Sequence, residues 1–339
     1  MPKSVLKIGL IGAGRIGRLH AENLTSRIPA ADILIVADAF EQAARECAKN
    51  YDIPTATHDY HAVLEDPDVQ AIVICSSTDT HARIIEEAAQ AGKHIFCEKP
   101  IALDLPTIDR ALAAVERAGV KLQIGFNRRF DSNFRRAQQA IANGEIGRPQ
   151  QFHIISRDPA PPPIEYIRVS GGLFLDMTIH DFDMTRFLLG NEAEEIAAVG
   201  SVMVNPAIGD AGDVDTAIIT LRMANGAIGT ISNSRKAVYG YDQRVEVLGS
   251  AGAINIDNNY PNSIVISDSH SVHRDLPLHF FLERYNESFI SEMAAFINAV
   301  LHDKPVAVTG YDGRVPVVMA LAAGKAMAEN RPVLLSEIG

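Results

Sequence analysis

Up to Phe126 the chain alternates between short apolar runs and longer amphipathic stretches. "VLKIGLIG", "ADILIVAD", "QAIVICSS", "KHIFCEK" and "VKLQIGF" are each brief, apolar and rich in β-branched residues, the pattern of strands buried on both faces. Between them, apolar positions recur at helical spacing over Arg15–Ser26, Phe40–Asn50, His81–Ala91 and Leu105–Ala118, and the last two stretches close on Gly92 and Gly119. Strand and helix in such alternation predict a parallel, doubly wound sheet with helices on both faces.

From Asn127 the pattern changes. A helix is predicted over Ser132–Asn143, a strand at "PQQFHIIS", and then a proline-rich loop, "RDPAPPP", that cannot be regular structure. A helix over Leu173–Leu189 precedes long alternating runs joined by turn residues: "TAIITLRM" to "AIGTISNSR" through "ANG", and "QRVEVLG" to "AINID" through "SAG". These are hairpin signals and predict an antiparallel sheet. Two late helices, Ser288–His302 and Arg314–Asn330, complete the chain without a sequence signal for which domain they pack against. The expected fold class is α/β, with a doubly wound domain over residues 1–126 and an α+β domain over residues 127–339. There is no internal repeat and no low-complexity tract.

Composition narrows the function. The 339 residues are 47% hydrophobic and 22% charged, enough for two cores. A net charge of -11 argues against a nucleic-acid partner, which would need clustered Lys and Arg. Cys47, Cys75 and Cys97 are odd in number and share no CxxC spacing, as befits reduced thiols. No charged-then-apolar leader opens the chain, and no apolar run approaches the ~18 to 20 residues of a membrane span. The expectation is a cytoplasmic protein acting on a small molecule.

The first strand-to-helix junction, "GLIGAGRIGRLHAENL", places Gly12, Gly14 and Gly17 in GxGxxG spacing, with Ala13, Arg15 and Ile16 between them. Gly12 allows a tight turn, Gly14 a close approach of backbone to pyrophosphate and Gly17 close packing of helix on strand, while the helix N-terminus offers amide donors. The second strand ends on Asp38, 21 residues after Gly17, where a carboxylate can bond both ribose hydroxyls. Its charge would repel a 2′-phosphate, and Ala39 and Phe40 bring no cation, so NAD is expected rather than NADP. Capping of the next helix is the structural alternative for Asp38. Ser76, Ser77 and Thr78 follow the third strand at the same sheet edge and are candidate cofactor contacts, with capping by Asp79 or Thr80 as the competing reading.

The fourth long strand ends in "CEKP". Two charges there need partners, and beside a bound cofactor Lys99 becomes a substrate-facing ammonium, Glu98 its neighbour or a ribose contact, and Pro100 a rigid, cis-capable turn. In "GGLFLDMTIHDFDMTRFLLG", Asp176 and His180 lie four apart, which stacks them on one face of an α-helix with Asp183 continuing the stripe. Alcohol oxidation needs a base for the hydroxyl proton, and histidine has the intrinsic pKa nearest neutrality. A solvated face and a satisfied core pair are the structural alternatives. No metal is expected, since there is no third ligand at a familiar spacing.

With these residues in hand, the chain resembles the Gfo/Idh/MocA family of NAD(P)-dependent oxidoreductases over its whole length, through "GAGRIG", "EKP", "GFNRRFD" and "GGLFLDMTIHDFDMTRFL". The resemblance implies a Rossmann domain followed by a domain with a large, open, mainly antiparallel sheet, assembled through that sheet into a homo-oligomer, with a tetramer favoured. It implies NAD-dependent oxidation of a polyol, myo-inositol at C2 to 2-keto-myo-inositol, with scyllo-inositol, chiro-inositol or a pyranose sugar as alternatives. The catalytic residues it assigns are Lys99, Asp176 and His180, with His180 as base, Asp176 orienting it and Lys99 on the substrate hydroxyl. Arg129 is expected near the polyol, with Asn127 and Arg128 as rivals, and Asp158 and Tyr239 complete the expected substrate contacts. Some family members are non-catalytic dinucleotide-binding regulators or enzymes that merely cycle a tightly held NAD, and those readings stay open at this point.

Overall fold

The computed structural model describes residues 5–339. The chain forms two compact units. One runs to Phe130 and takes in Glu287–Val317, and the other comprises Asp131–Asn286 and Val318–Gly339.

The first unit is built from β1 (Leu6–Ile11), α1 (Arg15–Ser26), β2 (Ala31–Ala37), α2 (Glu41–Asn50), β3 (Thr55–Thr57), α3 (His61–Glu65), β4 (Ala71–Ile74), α4 (Thr78–Gln90), β5 (His94–Glu98), α5 (Leu105–Ala118) and β6 (Leu122–Gly125). Its six strands lie in the order β3-β2-β1-β4-β5-β6, every pair parallel. The chain leaves β1 in one direction and later resumes beside it as β4, so the carboxyl ends of β1 and β4 flank the switch point where open α/β sheets bind ligands. Helix α5 matches its expected bounds because both ends are written locally: Asp104 accepts the Thr107 N–H at 2.9 Å, Pro106 occupies the first turn, and Gly119 closes it at φ 64°. Helix α4 begins at Thr78 rather than His81, because Ser77 takes the N-cap position and the chain turns helical without delay.

The second unit contains α6 (Ser132–Ala142), β7 (Pro149–Arg157), α7 (Ile164–Ile167), a π turn over Phe174–Thr178, α8 (Ile179–Leu189), β8 (Ala193–Ser201), α9 (Pro206–Asp210), β9 (Thr216–Met223), β10 (Ile228–Ser234), β11 (Asp242–Gly249), β12 (Gly252–Ile256), β13 (Val265–Ser267), β14 (Val272–Arg274) and α10 (Phe281–Arg284). The order β12-β11-β7-β10-β9-β8-β15, with β15 at Val333–Leu334, makes one seven-stranded sheet, antiparallel except where β10 meets β7. Both hairpins read from sequence, β9 to β10 and β11 to β12, are present.

Two expectations need correction. The segment Leu173–Leu189 is helical throughout, as expected, but not uniformly α-helical: Phe174–Thr178 forms a π turn between α-helical Leu173 and the α-helix that runs from Ile179. A π turn carries more residues per turn than an α-helix, so residues four apart still share a face, but Asp183 no longer continues the stripe of Asp176 and His180 and is buried. Nor do residues 127–339 form one continuous second domain. Helix α11 (Asn286–Leu301) places Met293, Phe296 and Ile297 in the core of the first unit with Leu24 and Phe96, and Arg129 pairs with Asp312 at 3.0 Å, so hydrophobic burial draws the late segment back. Helix α12 (Gly310–Glu329) starts in the first unit and ends in the second.

Candidate active site

At the carboxyl end of β1, three glycines do three different things. A Cβ on Gly12, which sits at φ 103°, would lie 2.5 Å from the backbone of Cys75, and one on Gly17 would lie 1.9 Å from the carbonyl oxygen of Gly12. Neither position admits a side chain. A Cβ on Gly14 would meet nothing within 4 Å, and Gly14 is the N-cap of α1, which has no side-chain cap and no acidic residue in its first turn. Open amides, a positive helix end and empty space over one glycine fit a pyrophosphate. Asp38 Oδ2 accepts the Ala13 N–H at 2.7 Å while Oδ1 accepts the Phe40 N–H at 2.8 Å. Phe40, not Asp38, occupies the N-cap of α2, so the carboxylate joins the glycine loop at the place a ribose would be read.

Ser76 hydrogen-bonds Thr80 between hydroxyls at 2.7 Å, Thr80 also reaches the Ser77 carbonyl at 2.7 Å, and Ser77 and Thr78 open α4 beside the same edge. The Lys99–Pro100 peptide is cis. The "CEKP" turn is held from both sides by histidines that sequence reading passed over. His20 of α1 meets Glu98 Oε1 through Nε2 at 2.8 Å, and His81 of α4 faces the Pro100 carbonyl at 2.8 Å and the Ser76 carbonyl at 3.0 Å. Burial lowers the His81 pKa, although its two carbonyl partners favour the protonated ring. Glu98 is therefore engaged with the cofactor helix, and the turn carrying Lys99 is fixed at the residue before it and the residue after it. His20, Glu98 and Glu292 bring their ligand atoms within 4.8 Å of one another. Burial raises the thiols of Cys47, to about 11, and of Cys75 and Cys97, so all three are inert at neutral pH.

Asn127 and Arg128 are buried in the turn after β6, and the Arg129 guanidinium is committed to Asp312. The structure thus gives Arg129 a partner within its own unit.

In the second unit, Asp176 sits in the π turn and His180 in the first turn of α8. The Asp176 carboxylate is held at both oxygens: Tyr166 of α7 donates its hydroxyl to Oδ1 at 2.9 Å, and Arg235 Nη1 donates to Oδ2 at 3.1 Å. Arg235 is only 1% exposed. Behind it, Asp213 Oδ2 lies 3.6 Å from Nη2, while Asp213 Oδ1 accepts the Leu173 N–H at 3.0 Å. A Cβ on Gly172 would sit 2.8 Å from that oxygen, at φ 80°, which explains why glycine precedes the turn. Thr178 and Asp181 both bond Asn233, anchoring the start of α8 on β10.

Tyr239 donates to Asp242 Oδ2 at 2.6 Å and accepts from Arg157 Nη1 at 2.9 Å. Asp242 is fully buried, and its pKa is lowered: burial pushes it up, but hydrogen bonds from Arg244, Tyr239 and Asn258 outweigh that. Asp158 follows β7, its N–H on the Ser234 carbonyl and its carbonyl on the Ala237 N–H. Arg235, Asp213, Tyr166, Arg157, His20 and His81 were not singled out from sequence. Arg235 alone carried a signal, an inward position in the alternation through Ile231 and Asn233.

Two family patterns match successive parts of the chain: an oxidoreductase family, NAD-binding Rossmann fold, over residues 6–126, and a GFO/IDH/MocA C-terminal domain over residues 134–255. The chain is 49% identical to the myo-inositol 2-dehydrogenase of Thermotoga maritima over 333 residues, covering 98% of this chain and 99% of that one. It is 46% identical to the inositol 2-dehydrogenase of Rhizobium meliloti, covering 98% and 99%. The crystal structure of scyllo-inositol dehydrogenase from Lactobacillus casei with bound cofactor NAD(H) and scyllo-inositol superposes with a TM-score of 0.92 at 30% identity, over 98% of this chain and 100% of that one.

Proposed function

Since this chain belongs to the GFO/IDH/MocA family of oxidoreductases and begins with an NAD-binding Rossmann domain, we propose that it oxidises myo-inositol at C2 to 2-keto-myo-inositol. The observation that carries this reading is 49% identity to a myo-inositol 2-dehydrogenase across nearly the whole of both chains. The presence of Lys99, Asp176 and His180 supports catalysis over mere dinucleotide binding.

In this reading, Gly12 to Gly17, Asp38, Ser76 to Thr78 and Glu98 serve the cofactor, and Lys99, Asn127, Arg129, Asp158, Asp176, His180 and Tyr239 serve the substrate. Bound NAD supplies the acceptor for the hydride that leaves C2. The His180 imidazole takes the proton of the C2 hydroxyl, so that the C–H and O–H bonds break and the carbonyl forms. Asp176, gripped at both oxygens, orients His180 and stabilises its protonated ring. The Lys99 ammonium bonds the reacting oxygen, held in place by the His20–Glu98 and His81–Pro100 contacts on either side. Tyr239, its hydroxyl fixed by Arg157 and Asp242, is assigned a contact with a ring rich in hydroxyls, each of which costs about 1 to 3 kcal/mol if left unpaired.

The protein is further proposed to act in the cytoplasm, in inositol breakdown, as a homotetramer. Among the described residues no helix is long and apolar enough to cross a membrane, and the outward face of the seven-stranded sheet exposes Val199, Ile218, Ile228 and Leu248. The test is absorbance at the NADH band with NAD and, singly, myo-inositol, scyllo-inositol, chiro-inositol and glucose. Preferred turnover of myo-inositol is expected; preference for another substrate, or none turned over while NAD binds, overturns the assignment.

A further inference from the structure

Resting on that reading of Asp176, we propose that Arg235 is a positioning residue for the reaction: its buried guanidinium, ion-paired with Asp213, fixes the Asp176 carboxylate at the oxygen that Tyr166 does not hold.

Arg235 follows β10 at the point where the strand's inward register continues past Ser234, and its N–H bonds the Asp215 carbonyl at 2.8 Å. A side chain of that length, 1% exposed, has to be balanced by carboxylates. It has two. Nη1 donates to Asp176 Oδ2 at 3.1 Å, and Nη2 lies 3.6 Å from Asp213 Oδ2. Asp213 is itself fixed by the Leu173 N–H, the last residue before the π turn that carries Asp176. Nη1 thus hydrogen-bonds the carboxylate of this short segment, while Nη2 makes an ion-pair contact, beyond hydrogen-bond distance, with the Asp213 that holds its backbone.

Among the groups brought to Asp176 are Tyr166 from α7, Arg235 from the end of β10 and, through Arg235, Asp213 from the loop before β9, with His180 following on its own element. The contacts from Tyr166 and Arg235 differ in kind. Tyr166 is 47% exposed and offers one neutral hydroxyl, so a substrate hydroxyl can replace it at Oδ1. Arg235 is enclosed and charged, and nothing entering from solvent can replace it. The carboxylate accordingly has a fixed oxygen and an exchangeable one. A carboxylate that must orient an imidazole during proton transfer needs the first, because a misplacement of about 1 Å can lower the rate ~100-fold.

A double-mutant cycle on the intact protein tests this, with kcat per NADH-binding site measured by fluorescence titration, myo-inositol as substrate, and Arg235→Met, Asp176→Asn and the double variant compared. Arg235→Met is expected to lower kcat about 100-fold with KM and NADH affinity within about 3-fold of the parent, and to have no further effect in the Asp176→Asn background. Arg235→Lys, which keeps the charge but not the fork, is expected to recover about 10-fold and guards against failure of Arg235→Met to fold. An equal loss from Arg235→Met in both backgrounds, or parent-like kcat in Arg235→Lys and Arg235→Met alike, overturns the proposal. Full activity in Asp176→Asn alone would instead overturn the role given to Asp176, on which the proposal rests.

Discussion

Replacing Gly14 by alanine should separate cofactor binding from folding. The added methyl meets no protein atom within 4 Å, and Gly14 already has φ -71°, a value alanine adopts freely. The only intrinsic penalty is alanine for glycine at an N-cap, about 0.5 to 1 kcal/mol. For NAD the same methyl occupies the space the pyrophosphate needs. An N–H bond to a charged oxygen is worth about 1.5 to 3 kcal/mol, so losing one raises Kd about 10- to 150-fold. The control is Gly17→Ala, whose Cβ would lie 1.9 Å from a backbone oxygen and cannot be absorbed by a side-chain shift. Its cost is about 1 to 3 kcal/mol of stability or more. Fluorescence titration with NADH and thermal unfolding without cofactor give both numbers. If Gly14→Ala binds NADH like the parent, or melts as low as Gly17→Ala, the open space over Gly14 is not the phosphate seat.

Three further outcomes are expected. His180→Ala should lower turnover by about 10² to 10⁴ while NADH titration is unchanged, and undiminished turnover would remove His180 as the base. Asp38→Ser with Ala39→Arg should move preference toward NADP, with some loss of affinity for both dinucleotides because the 2.7 Å bond from Ala13 to Asp38 goes too; strict NAD use would show that the ribose is read elsewhere. Burial holds His81 below its ordinary pKa near 6.5, so the unfolded chain takes up that proton first and stability falls as pH drops from about 6.5 toward the folded-state value. Melting temperatures from pH 8 to pH 5 should therefore decline less steeply in His81→Gln than in the parent, and parallel curves would show that the ring does not carry this dependence.

How much of this was legible depended on how local the cause was. Gly12 and Gly17 could be assigned because the steric demand lies within the loop and the strand beside it, and α5 because Asp104, Pro106 and Gly119 sit in the helix's own ends. The hairpins were legible for the same reason. Strand β8, with two glutamates and three alanines, has no strand signature of its own and exists because β9 pairs with it. The π turn around Asp176 depends on Asp213 capping Leu173 from 40 positions away, which no spacing rule reports. His20 and His81 looked like ordinary helix residues, since their partners on the "CEKP" turn come from other elements. The two-carboxylate setting of Arg235 was invisible for that reason as well.

The return of Glu287–Val317 into the first unit has a consequence for synthesis. A ribosome releases every strand of the cofactor-binding sheet early, yet Met293 and Phe296, which close its core, emerge about 170 residues later. At 5 to 20 residues per second that is on the order of 10 s or more. Throughout that interval the nascent sheet exposes the apolar surface around Leu24 and Phe96, so this chain should depend on chaperones during translation more than one whose cofactor domain is complete in a single run.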